Sequence, residues 1–237
     1  MHHPKKVDTK TNEITCVQPL LDGHDIKGKV VTLDAMHTQI DTANYLVKDK
    51  KADYLMTVKD NQKTLREDIA ALEIEDRPFD YEETTPADHG RIETRRIWCS
   101  DEINDYVEFP HVSQVFCIER IRYHVKQDKT SCEKIYGITS QSKKKATAKD
   151  ILQQNRGHWS IENKCHYILD VTYDEDRSQI RTGNGPEVMT RLRRFAISVL
   201  KIKGKTNIAQ AFRVLWGKPR IVFDYLGIYA AKSTVAQ

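Results

Sequence analysis

Lys29-Val30-Val31-Thr32-Leu33-Asp34-Ala35-Met36 is a short, apolar, β-branched run that stops at an acid. A run of this length without polar alternation reads as a buried strand of a parallel sheet. Such sheets hold their ligands just beyond the carboxyl ends of the strands, so Asp34 stands where an α/β fold keeps its chemistry. Working outward, Gln39 to Lys51 reads as a helix and Asp53-Tyr54-Leu55-Met56-Thr57-Val58-Lys59 as a second strand, which makes a βαβ unit. Upstream, Pro19-Leu20-Leu21 looks like the end of a helix. Downstream, Gln62 to Glu75 carries Leu65, Ile69 and Leu72 at helical spacing.

After Arg77-Pro78 the pattern changes. Arg91 to Trp98, Val112 to Ile118 and Lys134 to Ile138 read as strands. Further on, Pro186 to Ile202 is amphipathic, with Val188, Leu192, Phe195, Val199 and Ile202 along one side. Gly185-Pro186 is a good helix start and Gly204 a good stop. A short helix over Asn207 to Leu215 follows, and Ile221-Val222-Phe223 with Leu226 reads as a docked terminal element. Helices covering a sheet face are the plain reading of this region.

The stretch Gly157 to Asp176 threads charged and imidazole groups through apolar residues. His158, Glu162, His166 and Asp170 recur every four residues and so share roughly one helical face, while Trp159, Ile161, Tyr167, Ile168 and Leu169 offer surface to a core. A carboxylate near buried surface is expensive unless it meets a cation, which makes Glu162 the first candidate for chemistry. The plain alternative is a solvated face with weak side-chain pairs. The metalloprotease spacing His-Glu-x-x-His is absent.

A set of motifs recurs in one known family in the same order: Thr32-Leu33-Asp34-Ala35-Met36, Ala52-Asp53-Tyr54-Leu55, Val58-Lys59-Asp60-Asn61-Gln62, His89-Gly90-Arg91-Ile92-Glu93-Thr94-Arg95, Arg156-Gly157-His158-Trp159-Ser160-Ile161-Glu162-Asn163, Leu169-Asp170-Val171-Thr172, Glu175-Asp176 and Leu192-Arg193-Arg194. From about Val7 to Leu226 the chain resembles the H-repeat-associated insertion-sequence transposases, a group of DDE transposases. The resemblance implies an α/β ribonuclease-H-like core with a β-rich insertion, and two Asp and one Glu around Mg²⁺ or Mn²⁺. By position, Asp34 matches the second Asp and Glu162 the Glu, as catalytic residues and metal ligands. Mg²⁺ is hard and takes oxygen ligands, and paired ions clamp the attacking and leaving oxygens of a phosphodiester exchange. The implied partners are DNA, in the form of insertion-sequence ends, and further copies of the same chain on that DNA. Candidate DNA contacts are Arg91, Lys143, Lys144, Lys145, Arg156, His158, Asn163, Arg193 and Arg194, with His166 and Asp170 as supporting or structural groups.

The family's first Asp lies in an Asp-Gly-Lys segment that these residues do not contain. Asp22-Gly23-His24 is a superficial match at the wrong place in the order. The expectation is therefore an amino-terminally truncated, inactive copy that lacks its first core strands. It divides into a partial core over 1–76, a β-rich insertion over 77–140 and a helical remainder over 141–237. The net charge of +4 is weak support for nucleic-acid binding, whereas Ser142-Lys143-Lys144-Lys145 and Arg191-Leu192-Arg193-Arg194 are local basic runs of the kind phosphate contacts use. Five cysteines without zinc or disulfide spacing point to a reducing cytoplasm, and no apolar run approaches a membrane span. Three readings stay open: an active transposase whose missing upstream piece is supplied in trans, a DNA-binding or oligomerising remnant without catalysis, and an unrelated metallohydrolase with zinc on His158 and His166.

Overall fold

The structure is a computed structural model that describes residues 13–88, 90–102, 107–161 and 167–228. The chain divides into two compact units, Met1–His158 and Trp159–Gln237. The first unit is built on six strands: β1 (Val30–Leu33), β2 (Asp53–Val58), β3 (Tyr81–Asp88), β4 (Arg91–Ser100), β5 (Gln114–His124) and β6 (Lys129–Thr139). They form one mixed sheet in the order β1-β2-β6-β5-β4-β3. β1 and β2 run parallel, as the βαβ reading requires, and every other pairing is antiparallel. The strands of residues 77–140 continue the sheet that begins with β1, because β6 pairs with β2 through Leu55↔Thr139 and Thr57↔Gly137. Among the described residues β1 pairs with β2 alone and forms one edge of the sheet.

Helices α1 (Val17–Leu21), α2 (Ile40–Asn44), α3 (Lys63–Ala71) and α4 (Ala148–Ile161) complete this unit. α2 runs on as a π-helical turn over Tyr45–Asp49 and is the crossover between the two parallel strands. Alternation along the strands sends Tyr54, Met56 and Val58 to one face, where with Val115 and Ile138 they meet Ala43 and Leu46 of the crossover and Leu65 and Ile69 of α3. On the opposite face Leu55, Ile97, Phe116 and Ile118 lie under Ile151 and Leu152 of α4. Burying each such side chain contributes about 1.5–3 kcal/mol, so the two clusters hold helices to both faces. α3 is shorter than the periodicity predicts. Glu73 adopts φ 46°, and a 3-10 turn over Ile74–Asp76 turns Ile74 into a third small cluster with Trp98 and Cys117.

Gly137 sits where β6 passes between β2 and β5. A Cβ built there would lie 2.7 Å from the Met56 carbonyl oxygen and against the Phe116 ring. The ring takes the space a side chain would fill, a use of strand glycine where another group approaches closely.

β5 extends beyond the strand that the pattern predicts, and β3 has no counterpart among the predicted strands. The outer halves of β3, β4 and β5 are held by cross-strand ion pairs, Glu82 with Arg96 and Glu93 with Arg120 and Arg122, and Glu93 also pairs with Arg95 along its own strand. Pro86 is tolerated because β3 is an edge strand with a register shift between Thr85 and Asp88.

The second unit contains a π-helical turn (Ile168–Thr172) and helices α5 (Gly185–Ile202), α6 (Ile208–Leu215) and α7 (Pro219–Tyr225). Pro186 opens α5, and the Asn207 side chain caps α6 by accepting from the Gln210 amide at 2.9 Å. Leu169, Ile197, Leu200, Ile208 and Ala211 form its core. This corrects the expected packing of α5. Val188, Leu192, Phe195 and Ile202 of the amphipathic stripe are exposed, and Ile197 and Leu200 point inward instead.

Candidate functional site

Asp34 immediately follows β1, at the carboxyl end of the parallel pair. Its backbone is extended, and its side chain caps a single 3-10 turn, Ala35–His37, by accepting from the His37 amide at 3.4 Å. The carboxylate is exposed. The loop behind it is tied down at several points. Thr38 is fully buried and its hydroxyl donates to the Thr57 carbonyl at 2.7 Å, at the end of β2. The Asn61 side chain donates to the Ala35 carbonyl at 2.5 Å, and the Gln62 side chain to the Thr38 carbonyl at 2.9 Å. Both carboxamides belong to the motif Val58-Lys59-Asp60-Asn61-Gln62, which by itself assigns them no role. Two consecutive carboxamides just past a parallel strand were the signal available in the sequence.

α4 brings a second candidate to the same strand. His158 Nδ1 lies 3.2 Å from the Thr32 hydroxyl, and Thr32 and Asp34 alternate onto one face of the sheet. Glu162 and Asn163 lie outside the described residues, as does His166. Asp170 is exposed, in the π-helical turn Ile168–Thr172. The donor chemistry at Asp34 fits a hard divalent cation, since an exposed carboxylate oxygen is the ligand Mg²⁺ and Mn²⁺ prefer. Among the described residues no group of three or more His, Cys, Asp or Glu side chains is placed to hold a metal, so Asp34 is the one carboxylate of the proposed set on view.

The basic candidates separate into engaged and available groups. Lys143 pairs with Asp101 at 2.7 Å and Lys145 with Asp53 at 3.2 Å. Arg156 pairs with Glu83, which ties α4 to β3. Arg193 reaches Glu175 at 3.0 Å, a carboxylate that also accepts from Thr190, and Arg194 Nε is buried without a hydrogen-bond partner among the described residues. Arg91 and Lys144 are exposed and make no ion pair among the described residues. Beside Arg91 in the same motif, Glu93 is buried. Burial works to raise its carboxyl, but the Arg120 hydrogen bond and the charges of Arg95, Arg120 and Arg122 reverse this and hold it below the usual carboxylate range.

A family model described as Transposase DDE domain matches residues 2–199. The chain belongs to this family. It is 34% identical over 203 residues to "Putative transposase YncI" of Escherichia coli O157:H7, covering 83% of this chain and 52% of that protein. To the "H repeat-associated putative transposase YhhI" of Escherichia coli K12 it is 35% identical over 205 residues, covering 82% of this chain and 53% of that protein. The second of these relatives carries the group name that the motif order implied. The chain spans about half the length of the curated relatives it matches. Among solved structures it is similar to a piggyBac transposase in a synaptic complex with hairpin DNA, determined by cryo-electron microscopy. There the TM-score is 0.43 at 14% identity, over 97% of this chain and 48% of the other. No helix of the described residues is long and apolar enough to cross a membrane.

Proposed function

We propose that this transposase-family chain carries part of a DNA strand-cleavage and strand-transfer site on a ribonuclease-H-like core, with Asp34 and Glu162 as two carboxylate ligands of Mg²⁺ or Mn²⁺. The observation that carries the reading is Asp34, exposed at the carboxyl end of a parallel strand pair in a loop fixed from three sides. The Thr32–His158 contact supports it, since His158 precedes Glu162 by one helical turn in sequence. A divalent cation bound there would neutralise charge developing on the phosphoryl oxygens and activate a water or a strand-end hydroxyl as nucleophile. The part of this chain is to hold and orient that charge: Asp34 from the sheet, Glu162 from the segment after α4. DNA is the substrate, in the form of insertion-sequence ends, met in the cytoplasm by more than one copy of the chain. Exposed cations such as Arg91 and Lys144 contribute phosphate contacts.

Iron-directed cleavage tests the ligand assignment without requiring catalysis. Fe²⁺ with ascorbate and peroxide cuts a polypeptide beside the residues that hold the ion. Cuts beside both Asp34 and Glu162, suppressed by excess Mg²⁺ and lost in Asp34→Asn and Glu162→Gln, are the expected result. Cuts at neither position, or cuts indifferent to both substitutions, would remove the assignment.

A further inference from the structure

We infer that Asn61 and Gln62 are positioning residues for the Asp34 carboxylate. The inference rests on the proposed role of Asp34 as a metal ligand and adds the residues that aim it. Asp34 follows an edge strand four residues long, so among the described residues pairing with one neighbour is all that the sheet itself supplies. Among the described residues its carboxylate makes one hydrogen bond, the 3.4 Å approach of the His37 amide, too long and too local to fix an orientation. The direction of the side chain is therefore set by the backbone of the loop, and that backbone is set by what grips Ala35 and Thr38.

Thr38 is gripped twice. Its hydroxyl is spent on the Thr57 carbonyl within the core, and its carbonyl accepts from Gln62 at 2.9 Å. Ala35, the residue beside Asp34, is buried, and its carbonyl accepts from Asn61 at 2.5 Å. The two carboxamides thus bracket the 3-10 turn, one at each end. They stand on the 3-10 turn Asp60–Gln62, which leaves the carboxyl end of β2, the strand parallel to β1. The turn after one strand of the parallel pair thereby fixes the turn after the other. Asn61 is itself exposed, and water would satisfy the Ala35 carbonyl equally well if stability alone were at stake. What water does not supply is a fixed distance, and a metal ligand has to be held within about 0.5 Å of its productive place.

The test uses the whole chain and Mn²⁺ as probe. Backbone amide signals of Ala35 to Thr38 are followed by NMR while Mn²⁺ is titrated, and paramagnetic broadening reports occupancy at Asp34. In the parent, broadening should be present and should vanish in Asp34→Asn. In Asn61→Ala and Gln62→Ala the fold should be retained by circular dichroism, while half-broadening should need roughly tenfold more Mn²⁺, the usual effect of losing a group that orients a ligand. Arg66→Ala, which removes the exposed Arg66–Asp60 pair on the same turn, is the control and should leave the titration unchanged. Titrations of Asn61→Ala and Gln62→Ala that overlay the parent would overturn the inference while leaving the metal reading of Asp34 intact. A parent without broadening that depends on Asp34 would overturn both.

Discussion

Replacing Gly137 by Ala adds one methyl group at the junction between the parallel pair and the antiparallel strands, and the structure gives it nowhere to go. The new Cβ would stand 2.7 Å from the Met56 carbonyl oxygen, which belongs to the backbone of β2, and would press on two carbons of the Phe116 ring. Phe116 is fully buried in the cluster that includes Ile151 and Leu152, so the ring swings aside only by displacing α4. Overpacking of this kind costs about 1–3 kcal/mol. The unfolded chain loses entropy on Gly→Ala, which returns roughly 0.4–1 kcal/mol. With backbone as one of the two obstacles, the upper part of the first range applies, and the net loss should be about 2 kcal/mol. Gly157 provides the opposite case. It lies within α4, with nothing within 4 Å of its Cβ position, so Gly157→Ala should stabilise by roughly 0.5–1 kcal/mol through helix propensity alone. Urea denaturation of the two variants beside the parent measures both signs. Phe116→Leu in the Gly137→Ala background should recover part of the loss, because it relieves the ring and leaves the Met56 carbonyl where it was. A Gly137→Ala variant within about 0.5 kcal/mol of the parent would show that β6 does not pass between β2 and β5 as described.

Glu93→Gln should flatten the acid side of the stability curve. The folded-state carboxyl is held low, so its stabilisation is complete above the unfolded value near 4.3 and drains away as pH falls through the lower folded value. Denaturation of parent and variant at stepped pH values below about 5 should show the parent losing its advantage, and a constant difference would refute this. In the second unit, Ile197→Ala should cost about 3 kcal/mol and Ile202→Ala less than about 0.5 kcal/mol, readable by thermal or chemical unfolding of that unit. Equal effects would mean that the exposed stripe of α5 had been misread. Duplex DNA should bind weakly and with a steep salt dependence. Arg91→Ala and Lys144→Ala should each reduce the slope of log affinity against log salt by about 1, measured by fluorescence anisotropy. Lys145→Ala, whose ammonium is committed to Asp53, should change the slope little; the same slope for all three variants would refute the sorting of the lysines.

Local pattern made the parallel pair legible. β-branched runs bounded by acids gave β1 and β2, the helix between them joined the two, and Asp34 came out at the strand end where it lies. Capping residues delimited α5 and α6 for the same reason: Pro186, Gly204 and Asn207 act on their own neighbours. β3 was illegible because Tyr81-Glu82-Glu83-Thr84-Thr85-Pro86 reads as a loop until its partners are known. Its acids are satisfied by Arg96 from the next strand and Arg156 from α4, neither of which is a local signal. The pairing of β6 with β2 was out of reach for a like reason, since periodicity carries no information about which strand adjoins which. The stripe on α5 misled because two apolar sides compete on that helix, and α6 and the segment around Leu169 settle which one turns inward. The roles of Asn61 and Gln62 depend on carbonyls in another loop.

The strand order also bears on the sequence of events in folding. β3 to β6 form a meander of neighbours in sequence and can zip from their own turns. β2 joins that meander only by closing a span such as the 85 residues between Tyr54 and Thr139. β1 adds through β2, and the hydrogen bond between Thr32 and His158 of α4 spans 126 residues. Loops of that length close late, because their entropy is lost before any contact compensates for it. The strand leading to Asp34 is thus the last to be secured and the first to be released. Its amides should exchange with solvent at a lower opening free energy than those of β5, so that the segment bearing the candidate ligand melts away while most of the sheet is still standing.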